Sequence, residues 1–123
     1  MNYESEIKTF VKRTSRDKEI IAIYLFGSYP ENFSNRSDID ICIIGKLKDS
    51  EKRKIIRDSP ELFDISFFDE LPVFIKVRIF KRGRELFVRD RKIIEDIKMN
   101  ILKEYRDFMF FMKGRMAEIF ENV

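Results

Sequence analysis

Apolar residues along the chain follow two periods, and the switches between them lay out the expected elements. Residues 3 to 18 carry Tyr3, Ile7, Phe10 and Val11 at helical spacing, with Glu4 and Glu6 early and Lys12, Arg13 and Lys18 late. That is an amphipathic helix whose charges suit its dipole, and it should lie against a sheet. Ile20-Ile-Ala-Ile-Tyr-Leu-Phe26 is a continuously apolar run and reads as a first strand. Gly27-Ser28 turns the chain, residues 29 to 37 form a polar connector, and Asp38-Ile-Asp-Ile-Cys-Ile-Ile44 is a second strand. This strand alternates at its front and is continuously apolar behind, so it should be buried over most of its length and exposed at its start. Gly45 closes it.

Asp49 to Asp58 reads as a short charged helix that Asp58-Ser-Pro60 breaks. Glu61-Leu-Phe-Asp-Ile-Ser-Phe-Phe68 is a third strand with Asp64 in its middle. Residues 71 to 82 admit two readings. Ile75, Val77 and Ile79 alternate with Lys76 and Arg78 as in a strand, while Leu71, Phe74, Ile75 and Val77 suit a helix opened by Pro72; the helix is the reading adopted. Gly83 ends it, and Arg84 to Val88 is a short edge strand. From Asp90, a suitable N-cap, one helical pattern runs to about Phe120, with Ile94, Ile97, Ile101, Tyr105, Phe108, Met112, Met116 and Ile119 three or four apart. Further apolar residues, among them Leu102, Met109, Phe110 and Phe120, widen that stripe beyond what a helix on a small sheet needs. The excess points to a protein partner or to self-association.

The chemistry gathers at the start of the second strand. Residues i and i+2 of a strand share a face, so Asp38 and Asp40 place two carboxylates side by side. Two such charges repel, and a divalent cation is the simplest remedy; Mg²⁺ takes one or two carboxylates together with substrate phosphate oxygens and its own waters. Gly27 permits close approach of backbone to a ligand, and the Ser28 hydroxyl and neighbouring N–H groups can receive a phosphate. Asp64 either points outward to solvent or, if the third strand lies beside the second, joins Asp38 and Asp40 in a three-carboxylate cluster. The basic run Lys76, Arg78, Lys81, Arg82 and Arg84 is either a solvated face or a source of positive charge for a triphosphate.

Composition narrows the classes. The chain has 123 residues, enough for one domain with one core, here taken as residues 1–123. There are 25 basic and 22 acidic residues, for a net charge of +3, a mild excess that does not by itself argue for nucleic acid. There is no His, which removes Ser-His and Cys-His catalysis and the usual zinc ligands. The single cysteine, Cys42, sits inside an apolar strand and reads as a small buried hydrophobe. No apolar run approaches the ~20 residues of a membrane span and no signal peptide opens the chain, so a soluble cytoplasmic protein is expected.

Leu25-Phe-Gly-Ser28, a nine-residue connector, Asp38-Ile-Asp40 and a later Asp64 together resemble the DNA polymerase β-like nucleotidyltransferase superfamily. Its smallest members, the minimal nucleotidyltransferases (MNT), look closest. Gly83-Arg-Glu-Leu-Phe87 followed by Asp90, and Leu102-Lys-Glu-Tyr-Arg-Asp-Phe108, are similar to segments of the MntA antitoxins. Pattern and resemblance imply an α+β fold: a small mixed sheet with helices packed on one face, plus a long C-terminal helix. The resemblance implies transfer of AMP from ATP to a tyrosine hydroxyl of a cognate HEPN toxin, with release of pyrophosphate. The surplus of apolar surface on the last helix, read beside it, would make that helix a dock for a helical toxin. The resemblance also implies two Mg²⁺ ions held by Asp38, Asp40 and Asp64, with Gly27 and Ser28 on the nucleotide phosphates and Asp64 activating the acceptor hydroxyl. A small molecule or an RNA end as acceptor, and a non-catalytic antitoxin that acts by binding alone, are the rival readings.

Overall fold

The structure is a computed structural model and describes residues 3–27 and 39–121. Its order is α1 (Tyr3–Thr14), β1 (Ile20–Phe26), β2 (Ile39–Gly45), α2 (Asp49–Asp58), β3 (Phe63–Phe67), a single 3₁₀ turn (Phe68–Glu70), α3 (Val73–Arg82), β4 (Arg84–Val88) and α4 (Arg91–Glu121). The four strands form one mixed sheet in the order β3-β2-β1-β4. β1 pairs antiparallel with both β2 and β4, and β3 pairs parallel with β2.

The α+β class, the mixed sheet and the long last helix agree with the sequence reading, but the expectation that the helices pack on one face does not hold. One face of the sheet, carrying Ile20, Ile23, Leu25, Ile39, Ile41 and Ile43, is covered by Ile7 and Phe10 of α1 and by Ile55 of α2. The other, carrying Ala22, Tyr24, Cys42 and Ile44, is covered by Ile79 of α3 and by Ile94 and Ile101 of α4. The cause lies in the two central strands. Both are apolar on both faces, and leaving either face wet would expose a row of isoleucines, so two layers of helix are required.

Residues 73–82 are helical because Val73, Ile75, Val77, Ile79 and Phe80 pack into the core on the covered side, with Phe74 left exposed, and because Pro72 at the N-cap fixes the entry. The helix ends at Gly83, whose N–H reaches the Ile79 carbonyl at 2.7 Å. α1 stops at Thr14 rather than near residue 18. Its last turn unwinds into bonds such as Asp17 N to the Thr14 carbonyl, 3.2 Å, and Ile20 N to the Asp17 carbonyl, 3.1 Å, which aim the chain into β1. Asp90 caps α4 through Oδ1, which accepts from the backbone N–H groups of Lys92 and Ile93 at 2.9 and 3.3 Å.

The last stripe is core only at its beginning. Ile94 and Ile101 are buried and Ile97 is half-buried, but Met112, Met116 and Ile119 are exposed, as are Phe110 at 83% and Phe120 at 71%.

Candidate functional site

The site is built where β1 ends and β2 and β3 begin. β1 and β2 are antiparallel, so the end of β1 meets the start of β2, and Phe26 is the register partner of Asp40. β3 runs parallel to β2 and starts at the same level, which makes Asp64 the partner of Asp40. Paired positions of neighbouring strands, about 4.8 Å apart, project to the same face, so the two carboxylates share one side of the sheet. The next row inward on that side is Cys42 beside Ser66. Asp40 is half-buried and Asp64 is exposed. The two readings of Asp64 therefore merge: the residue looks out to solvent and stands beside Asp40.

Gly27 completes this corner. Its φ of +82° lies in the left-handed region that side-chain-bearing residues rarely enter. A Cβ placed on it would fall 2.0 Å from Oδ2 of Asp40 and 3.2 Å from the Asp40 Cβ, so the turn passes flush against the carboxylate. Only glycine lets β1 end this close to Asp40.

Asp38 and Ser28, expected as a metal ligand and a phosphate contact, lie outside the described residues, as does the connector between them. Among the described residues no group of three His, Cys, Asp or Glu could hold a metal ion. Asp40 and Asp64 set two carboxylates at paired positions, Asp64 open to solvent. A hard-oxygen set of this kind fits Mg²⁺, which takes few protein ligands and keeps the rest of its sphere for waters and phosphate.

The basic run does not gather into one patch. Arg84 forms a two-pronged pair with Glu4 of α1, at 3.2 and 2.9 Å. Lys76 lies half-buried with its Nζ 5.1 Å over the Phe68 ring. Arg78, Lys81 and Arg82 are exposed on α3. A helix followed by a strand turns successive side chains to different sides, which disperses charges that are contiguous in sequence.

A polar network not visible in the sequence holds α4 in place beside this corner. The Tyr24 hydroxyl donates to Glu85 Oε1 at 3.2 Å, and Arg91 grips both oxygens of Glu85 at 2.7 Å each. Arg91, ahead of the opposing cost of partial burial, holds the Glu85 carboxyl down at about 2. Burial first, and the Glu85 charge second, push the Tyr24 phenol well above its ordinary range. Burial likewise raises the Cys42 thiol to about 12, as befits a residue serving as a small hydrophobe.

Comparison with known proteins places this geometry. A family model described as polymerase beta, nucleotidyltransferase, matches residues 6–92. A protein of Methanocaldococcus jannaschii, named as a candidate protein adenylyltransferase, is 35% identical over 78 residues. The match spans 63% of this chain and 63% of that relative's length. Among solved structures, a toxin–antitoxin complex with AMP-PNP superposes with a TM-score of 0.69 at 19% identity, covering 91% of this chain and 97% of that one. An MNT antitoxin in complex with tri-AMPylated Shewanella oneidensis HEPN toxin gives a TM-score of 0.67 at 18% identity, covering 92% and 95%. At these identities the structural likeness speaks for the fold.

Proposed function

The chain belongs to the polymerase β nucleotidyltransferase family, and from that premise we propose that it is a Mg²⁺-dependent protein adenylyltransferase acting as an antitoxin. It takes AMP from ATP and places it on a tyrosine hydroxyl of a HEPN-type toxin. The observation that carries this reading is the Asp40–Asp64 register pair, closed on one side by Gly27. Two carboxylates at paired positions of neighbouring strands, one half-buried and one open to solvent, make sense as the seat of a cation that a triphosphate shares. The adenylyltransferase name of the M. jannaschii relative supports the reaction class. AMP-PNP in one structural neighbour and an AMPylated HEPN toxin in another support the nucleotide and the acceptor.

In the transfer, the acceptor oxygen forms a bond to the α-phosphorus as the bond from that phosphorus to the bridging oxygen breaks. Pyrophosphate leaves with the electron pair, and the hydroxyl proton passes to Asp64. Asp38, Asp40 and Asp64 would hold two magnesium ions, which when bound supply neutralisation of phosphate charge and a lowered hydroxyl pKa. Ser28 and the backbone around Gly27 hold the β and γ phosphates.

The test is a label-transfer assay with the purified chain, Mg²⁺, α-labelled ATP and a co-expressed HEPN partner. Label is expected on the partner and absent with an Asp38→Ala, Asp40→Ala double variant. Label that survives in that variant would sink the mechanism. Label only on RNA or a small molecule would move the acceptor, and neutralisation of the toxin with no label at all would leave a binding-only antitoxin.

A further inference from the structure

α4 outgrows the body it packs on. Arg91 and Lys98 both approach Glu85 of β4, at 2.7 and 3.8 Å, and Lys98 Nζ stands 5.7 Å over the Phe80 ring. The helix therefore climbs back along β4 toward the end of the sheet where Phe26 meets Asp40. Ile101 is the most distal buried residue among those described. Beyond it the helix continues to Glu121, a further length of about 30 Å at a rise of about 1.5 Å per residue. Tyr105, Phe108, Met112, Met116 and Ile119 still fall on one stripe of this projecting part, since steps of three and four residues return to the same side. Only the first two are half-buried. The apolar surface left on the stripe and its flanks is roughly 700 to 800 Å², counting about 200 Å² for a full aromatic side chain. That exceeds the largest patch of a typical monomer and equals one partner's share of a standard interface.

We propose that this stripe is a homodimer interface in which the projecting half of α4 pairs antiparallel with the same segment of a second copy. The chain itself supplies both sides of the contact. When the two helices are set about a two-fold axis, Phe108 of one meets Met112 of the other and Tyr105 meets Met116, each layer occurring twice. On one flank Glu104 comes beside Arg115 of the second copy, also twice, which gives charge complementarity in this register. Arg106 and Lys113 approach on the other flank, but they lie further round toward solvent. Past the last layer, Ile119 and Phe120 reach the base of the second copy's helix. There a mostly apolar groove of about 280 Å³ lies between α3 and α4, lined by Val77, Phe80, Lys81, Lys98, Ile101 and Leu102. The projecting end thus finds its socket on the same molecule type. Phe110 stands on the opposite side of the helix and takes no part.

Dimerisation through α4 does not depend on the transfer reaction and is tested on the full chain alone by size exclusion with light scattering across a concentration series. A mass near twice the 14.9 kDa of the chain is expected. Met112→Glu should give a monomer of unchanged helix content by circular dichroism, while Phe110→Ser should remain dimeric. Arg115→Glu should weaken the dimer roughly three- to tenfold, and Glu104→Arg added to it should restore the affinity. A monomer at every concentration overturns the proposal and leaves the stripe to a different protein. So does a dimer indifferent to Met112→Glu, one lost equally in Phe110→Ser, or a charge reversal that fails to restore pairing.

Discussion

Gly27 and Asp40 are in contact across the turn that ends β1: a Cβ on Gly27 would sit 2.0 Å from Asp40 Oδ2. Gly27→Ala must therefore rotate the Asp40 carboxylate out of its place and also hold alanine at a φ of +82°. The strain of a left-handed alanine is about 1 to 2 kcal/mol, which a folded domain survives. The displaced carboxylate matters more. The proposed nucleotidyl transfer is expected to fall at least about a hundredfold while the melting temperature drops by a few degrees, since misplacement of a reacting group by an ångström costs that much. Parallel activity and melting measurements check this, and unchanged activity would mean that Asp40 does not need its present orientation.

Asp40 and Asp64 are register partners across the parallel ladder, and a cation shared between them can be measured without any acceptor. Asp64→Asn removes one of the two charges at an exposed position, so without divalent cations its melting temperature should equal or slightly exceed that of the parent. Millimolar Mg²⁺ should raise the melting temperature of the parent, because a ligand that binds the folded state stabilises it, and should raise that of Asp64→Asn far less. Equal shifts in the two proteins would place magnesium elsewhere.

The Glu85 carboxyl, held at about 2 rather than the usual 4.5, makes the anchoring of α4 sensitive to acid. Because its folded value is depressed, the stability it contributes is present above about 4.5 and is lost as pH falls through about 2. Removing the main cause by Arg91→Met should lower the melting temperature by a few degrees at neutral pH, a modest effect because the Arg91 side chain is 56% exposed and that of Glu85 35%. The difference between the two proteins should shrink steadily below pH 4.5. Melting curves at several pH values check it, and a difference constant with pH would mean that Arg91 acts through packing instead.

Much of the fold was legible because it rests on period and punctuation. β1 and β2 declared themselves by runs of isoleucine, α2 by its break at Pro60, and α3 by Pro72 and Gly83. The pairing of Asp64 with Asp40 came from setting the third strand beside the second. The two-sided covering of the sheet was also written in those doubly apolar strands, yet periodicity assigns a helix its wet and dry sides without saying which face of a sheet it meets. The stripe of α4 illustrates the same limit: Ile101 and Met112 are alike in pattern, and only the height of the sheet decides that one is core and the other is surface. The Tyr24–Glu85–Arg91 network joins residues 61 and 6 positions apart, and no local spacing announces it.

Cys42 lies two residues beyond Asp40 on the same face of β2, yet it should be chemically silent. Its thiol is fully buried, and burial raises it to about 12, so almost no thiolate exists at about pH 8. An aromatic disulfide reagent should react with the native protein only as fast as the protein opens, and at once after denaturation. Cys42→Ala should cost about 1 kcal/mol, as loss of a small buried group. Cys42→Ser, of nearly equal size, should cost about 1 to 3 kcal/mol because a hydroxyl would sit beneath α3 without water. Rapid reaction of the native thiol at about pH 8 would show that the corner around Asp40 opens to solvent beyond its first row, and the β2–α3 packing would then have to be treated as a moving part of the site.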